Sequence, residues 1–209
     1  MNTISNIYKN YGIPEILQLH MLRVAGIAEK ILSAWNGPKI NKRSLIRVLL
    51  LHDTGNIVKM FNVEVENKRF HLMRDKYYSL FGNDDHNVSK AIGQELGLNN
   101  QELALMDAKV FLRNDETLNS IDFSRKIGAY ADQRAAPDGV LPLLDRLREA
   151  QIRYKDKPGS SMNNPRTEML IKCAVKIEEQ VMSYCSLQSS DITDASINPF
   201  ISKLRNFRI

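Results

Sequence analysis

The stretch that most constrains this chain is EILQLHMLRVAGIAEKILSAW, residues 15 to 35. Its apolar residues recur at a 3.6-residue period and form a wide stripe, which predicts a helix with much of its surface buried. Pro14 stands at its start, where a missing N–H costs nothing. A helix this apolar needs partners on more than one side, and the remaining sequence supplies further helices. KRSLIRVLLLHD follows the break NGPKIN and runs into Thr54 and Gly55, where the glycine reads as a stop. NDDHNVSKAIGQELGLN has Asn or Asp to cap its start and Gly97 to close it. NQELALMDAKVFLR, SIDFSRKIGAYADQRA, VLPLLDRLREAQIRY and RTEMLIKCAVKIEEQVMSYC continue the pattern, with PDG at 137 to 139 as a turn signal. Residues 62 to 83 are charged and irregular and read as a partly helical excursion; strand alternation is confined to FNVEV. The tail from Ser186 is rich in Ser, Asp and Asn and ends in the short amphipathic PFISKLRNFRI. The expected fold class is all-α, a helical bundle.

A length of 209 residues suits one domain with a small appendage. The net charge of +5 is mild, a common surface balance that leans only slightly towards anionic partners. The first residues lack an apolar core of signal-peptide length, and no run approaches a membrane span. Cys173 and Cys185 fall in one expected helix, about 18 Å apart along its axis, too far to bridge. The expectation is a cytoplasmic protein without disulfides and without a membrane partner. Oligomeric state is not legible.

Against that frame LLLHDTGN, residues 49 to 56, poses a chemical problem. Leu49, Leu50 and Leu51 read as buried, and the run ends in His52 and Asp53. A carboxylate taken from water costs many kcal/mol unless a charge or a metal compensates it. Three other residues carry metal-binding or proton-transfer chemistry in helical context: His20 in the middle of the first apolar stripe, Asp132 in AYADQR, and His86 at the start of the NDDHNVSKAIG helix. Each comes from a different helix, as in sites built between the helices of a bundle.

The order His, then His-Asp, then a distant Asp resembles the HD superfamily of metal-dependent phosphohydrolases. HMLRVAGIA resembles that family's first metal helix, LLLHDTGN its namesake motif, and YADQRAAPDGV its distal segment. The resemblance covers roughly residues 15 to 155 and implies an HD domain over 1–160, with 161–209 as a C-terminal helical extension packed on it. It implies that His20, His52, Asp53 and Asp132 bind one divalent ion, which would compensate Asp53. Two imidazoles and two carboxylates suit Mn, Fe, Ni, Co or Mg, and zinc is compatible. Bound water would then attack a phosphate ester of a nucleotide or similar small phosphorylated substrate, by monoesterase or phosphodiesterase chemistry.

The surroundings give further candidates. The motif continues Gly55-Asn56, where many HD proteins have Gly-Lys and some nucleotidase branches carry Glu at the Asn position. Asn cannot move a proton, so His86 is the candidate for leaving-group protonation or phosphate binding. With His71 the only other histidine, one metal is favoured over two. Arg23, Asn56, Lys59 and Arg134 are the remaining candidate substrate contacts. A salt bridge to Asp53, Asp84 or Asp85 explains Arg23 equally well, and for Arg134 a structural role, pairing with Asp138 or Asp145, is favoured over a phosphate contact. The basic cluster Lys68, Arg69, Arg74 and Lys76, with Tyr77 and Tyr78, reads as a solvated face or a substrate-facing lid. The alternative to an enzyme is a non-catalytic HD scaffold that holds RNA or a signalling nucleotide, with nucleic acid the less favoured partner.

Overall fold

A computed structural model describes residues 2–61, 67–156, 162 and 165–209. Among these the protein is all-α, with eleven α-helices, several short 3₁₀ turns and no strand beyond isolated bridges. The helices are α1 Ile4–Tyr11, α2 Glu15–Ser33, α3 Lys42–Leu49, α4 Lys68–Phe81, α5 Asp85–Glu95, α6 Asn100–Met106, α7 Asn114–Asn119, α8 Phe123–Arg134, α9 Leu143–Arg153, α10 Thr167–Met182 and α11 Asp194–Leu204. None is long and apolar enough to cross a membrane. Part of the FNVEV segment lies outside the described residues.

The apolar stripe of residues 15 to 35 becomes the central element. In α2, Met21, Leu22, Val24, Ala25, Ile27, Ala28, Ile31 and Leu32 are all buried, each larger side chain contributing about 1.5–3 kcal/mol. Helices α3, α8 and α11 pack around it. Gly26 gives α11 its close approach, since an added Cβ would lie 3.2 Å from Ile201. Helix α10 covers α7 and α8. The chain ends meet, with Ile4 N–H donating to Phe207 O at 2.8 Å and Ile209 N–H to Asn2 O at 3.2 Å. Cys173 and Cys185 are both free thiols.

Two expectations need correction. Pro14 is the cap of α2 rather than its first residue, and a helix precedes it: Thr3 caps α1 and Gly12, at φ 63°, ends it. Its eight residues are too few for a clear periodicity. The second helix stops at Leu49 instead of reaching Asp53. His52 and Asp53 occupy the turn between α3 and a 3₁₀ segment, Thr54–Lys59. In that turn Thr54 Oγ1 donates to Leu51 O at 2.8 Å, competing with helix continuation.

A glycine is required just after the motif. An added Cβ on Gly55 would lie 2.0 Å from Asp85 O and 2.6 Å from Ser89 N, both backbone atoms. Gly55 N–H also donates to Ser89 Oγ at 2.9 Å. The bare backbone thus lets α5 dock directly against the His-Asp turn.

Candidate metal centre

Four polar side chains from three parts of the chain converge beside a cleft of about 340 Å³. His20 comes from the middle of α2, His52 and Asp53 from the turn after α3, and Asp132 from the last turn of α8. His20 Nε2 is 3.4 Å from Asp53 Oδ2 and 3.2 Å from Asp132 Oδ1. His52 Nε2 is 3.8 Å from Asp53 Oδ2 and 3.3 Å from Asp132 Oδ1. The two imidazole rings are 5.3 Å apart, tilted by 55°.

The decisive atom is His52 Nε2. The ring is fully buried, and its Nδ1 lies 2.6 Å from Leu49 O. A carbonyl only accepts, so Nδ1 carries the proton and Nε2 presents a lone pair. Nε2 has no hydrogen-bond partner, one of only two such buried side-chain atoms among the described residues. The other, Arg47 Nε, belongs to a guanidinium that is already bound to both oxygens of Glu102. A buried lone pair facing carboxylate oxygens is unfavourable unless a cation sits between them.

The donor types suit a divalent ion, with His20, His52 and Asp53 as the compact group and Asp132 joining it through the two histidines. Donors about 2.1 Å from a metal and at right angles to one another are separated by about 3 Å; the four contacts of 3.2 to 3.8 Å are slightly wider. His20, His52 and Asp53 each offer a donor atom within 4.8 Å of the others. The Leu49 carbonyl supplies the outer hydrogen bond that metal-ligating histidines require. Without a metal the cluster neutralises itself by protonation. Burial lowers the His20 imidazole, but hydrogen bonds to Asp132 and Asp53 outweigh that and hold it at about 9. Both carboxylates are correspondingly held well below their ordinary range.

A cation missed by the sequence reading completes the set. Lys109, in the 3₁₀ turn Asp107–Lys109, donates to the outer oxygen of Asp53, Oδ1, and to His52 O at 2.8 Å. The inner oxygen, Oδ2, is left to the two histidines. Nothing in DAKVF marks this lysine, because the contact spans 56 residues of sequence.

The other sequence candidates separate clearly. Asn56 lines the cleft with His20, Asp53 and Asp132. Arg23 does not: its Nη1 donates to Ala136 O and Pro137 O at 3.0 and 3.1 Å, and its Nε lies 3.6 Å from Asp194. It pins the loop after α8 that forms one wall. Lys59 pairs with Asp85 at 2.5 Å and does not line the cleft. Arg134 is buried beneath the site, bonded to the carbonyls of Leu141, Ser189 and Ile192 and to the Tyr130 hydroxyl. His86 Nε2 meets Asp107 Oδ1 at 2.6 Å, and Lys90 joins the same carboxylate at 3.1 Å. His86 therefore braces the turn that carries Lys109 and forms no part of the cleft wall. The basic cluster of α4 also faces elsewhere: Arg69 donates to Asn10 O, Arg74 pairs with Asp75, and Lys76 and Tyr77 with Glu95.

In their place the cleft recruits residues that carried no motif. Arg146, Arg153 and Tyr154 line it from the side of α9, and Ile16, Leu17 and Met60 give it an apolar wall. Comparison of the chain with protein-family models, curated proteins and solved structures finds no match, so the functional reading rests on these residues.

Proposed function

We propose that the protein is a metal-dependent phosphohydrolase of the HD type, acting on a nucleotide or similar small phosphorylated substrate. The observation that carries this reading is the buried, unpartnered His52 Nε2, aimed with His20 at two carboxylates on the wall of a cleft. His20, His52, Asp53 and Asp132 are the residues that would hold one divalent ion. When bound, such an ion supplies Lewis acidity, which acidifies water and offsets charge on a phosphoryl oxygen.

The chain's own groups have defined tasks in this reading. Leu49 O fixes the His52 tautomer with its lone pair inward. Lys109 holds Asp53 by its outer oxygen and so presents the inner one. His86, through Asp107, positions the turn that carries Lys109. Asn56 offers an amide to a substrate oxygen on the wall but transfers no proton. The apolar side chains of Ile16, Leu17 and Met60 shelter the organic part of the substrate.

Release of phosphate or nucleoside from a panel of nucleotides and phosphodiesters, with Mn, Ni, Co or Mg, tests the proposal in wild type beside Asp53→Ala. Turnover that disappears in the variant is the expected result. No turnover with any metal, in folded and metal-loaded protein, would contradict it. One observation favours a second reading: the Lys109 ammonium already offsets one carboxylate without a metal. In that case the cleft belongs to a scaffold that binds RNA or a signalling nucleotide without turnover. Steep salt dependence of binding to single-stranded RNA would mark that scaffold.

A further inference from the structure

Helix α9 brings to the cleft a pair of cations that metal binding does not use. Arg146 and Arg153 are about two turns apart and both line the cleft. Glu149, between them, braces both: Arg146 Nη1 reaches its Oε2 at 2.9 Å and Arg153 Nε its Oε1 at 2.8 Å. Arg153 Cζ also lies over the Tyr154 ring, 4.5 Å from its centroid. Arg146 Nε donates to Ala135 O at 2.8 Å. That bond ties α9 to the chain just beyond Asp132, fixing one guanidinium relative to the metal cluster.

The arrangement has unspent capacity. One carboxylate answers two guanidinium groups, so the arm keeps a positive charge. Arg146 Nη2 and Arg153 Nη1 make no hydrogen bond among the described residues. Burial and the neighbouring Arg153 charge push the Arg146 guanidinium below its ordinary value, so an entering anion relieves a cation held against its preference. By contrast Arg23 and Arg134 are bound to backbone carbonyls. The cleft thus combines the metal-ligating types His20, Asp53 and Asp132 with two arginines and the apolar side chains of Ile16, Leu17 and Met60. Its volume of about 340 Å³ lies at the lower end for small-molecule sites.

We infer that Arg146 and Arg153, braced by Glu149, are an anion-recognition arm that selects a phosphate monoester dianion as the substrate class of this cleft. The inference rests on the phosphohydrolase reading for the word substrate, whereas the anion arm itself stands on the geometry of α9. A monoester dianion leaves three oxygens to share between the metal-ligating residues and a forked guanidinium. A diester has one charge fewer and a second organic group on one of those oxygens, so it gains less from the arm.

Inorganic phosphate is the probe, titrated calorimetrically into metal-loaded wild type and into Arg153→Gln, Arg146→Lys and Glu149→Gln, each shown to be folded by circular dichroism. Monoester and diester turnover is measured alongside. Arg153→Gln is expected to weaken phosphate binding about tenfold, by loss of one charge-assisted contact. Glu149→Gln, which frees both forks, is expected to tighten it severalfold. Arg146→Lys keeps the charge without the fork and falls between wild type and Arg153→Gln. In turnover, the arginine variants raise KM for monoesters more than they lower kcat. Phosphate affinity unchanged in both Arg153→Gln and Glu149→Gln, or no phosphate binding by wild type, overturns the arm even if the protein hydrolyses esters. A wild-type preference for diesters overturns the substrate class. Phosphate binding that responds as expected with no turnover at all upholds the arm and removes the hydrolase reading instead.

Discussion

Three consecutive residues at the end of α8 enter two different kinds of buried polar environment. Gln133 and Arg134 face inward to groups that satisfy them. The Gln133 and Asn114 amides exchange hydrogen bonds at 3.0 and 2.8 Å, and Arg134 is surrounded by carbonyl oxygens and the Tyr130 hydroxyl. Asp132, one residue earlier, faces two imidazoles, and the fully buried one has a nitrogen with no partner. The same helix thus carries a closed network and an open one. A closed network fixes structure, here by fastening the C-terminal segment at Ser189 and Ile192 to the bundle. An open one costs stability in the absence of a ligand, since an unsatisfied buried polar group is unfavourable by about 1–3 kcal/mol. Its persistence beside a cleft is the physical argument for a bound cation.

That contrast predicts that the two networks fail differently. The largest effect is expected at the open one. Asp132→Ala should lower turnover roughly a thousandfold, about 4 kcal/mol of barrier, while urea denaturation shows the chain still folded. Loss of folding with activity intact per folded molecule would reverse the assignment. At the closed network the readouts exchange places. Arg134→Ala leaves the buried Ile192 carbonyl and the partly buried Leu141 and Ser189 carbonyls without their donor, and Glu178, 3.9 Å away, without its cation. A loss of about 3–5 kcal/mol in urea midpoint analysis is expected, with metal affinity unchanged in whatever protein remains folded. A smaller loss, about 1–3 kcal/mol, is expected for Asn114→Ala, which strands the Gln133 amide. If that variant weakened metal binding as well, the two networks would be one.

The smallest effect concerns a satisfied carboxylate near the surface. Burial raises the Glu95 carboxyl, but hydrogen bonds from Tyr77, Tyr11 and Lys76 outweigh it and hold it below its ordinary value. A depressed carboxyl stabilises the fold above its unfolded-state value near 4.5, and that contribution disappears as pH falls through the depressed one. Glu95→Gln should therefore be slightly less stable than wild type at neutral pH, and the difference should close on acidification. A difference independent of pH would assign the effect to packing rather than charge.

The same contrast explains which parts of the structure were legible in the sequence. Long amphipathic helices were, because α2, α8 and α10 carry their own periodicity. That His20, His52, Asp53 and Asp132 come together was legible through the order of motifs that resembles the HD superfamily, whereas residue type and helical setting alone singled out His86 as well. Helix α1 was not, being only eight residues long. The partners of arginines were equally hidden. In sequence a phosphate contact and a salt bridge are equally open for Arg23, and a structural role is favoured for Arg134; the structural roles hold, but the acceptors are mainly carbonyls far along the chain that no local pattern names. Lys109, Arg146 and Arg153 carried no signal because their importance lies in which side chain lies opposite, a tertiary fact. His86 had the right chemistry for proton transfer, and only its pairing with Asp107 shows where it is used.

The central claim is that His52 Nε2 faces a divalent cation, and metal binding tests it most directly. Purified protein should be stripped of metal, titrated with Mn²⁺ by calorimetry and checked for content by mass spectrometry, beside His52→Gln shown to be folded. The account predicts one ion per chain in wild type and an affinity at least ~100-fold lower in the variant, in line with losing a direct ligand where an outer-shell loss alone costs 10–100-fold. Folded wild type that takes up no divalent ion, or a variant that binds it equally well, would contradict the account and leave Lys109 and a protonated His20 to offset Asp53 and Asp132.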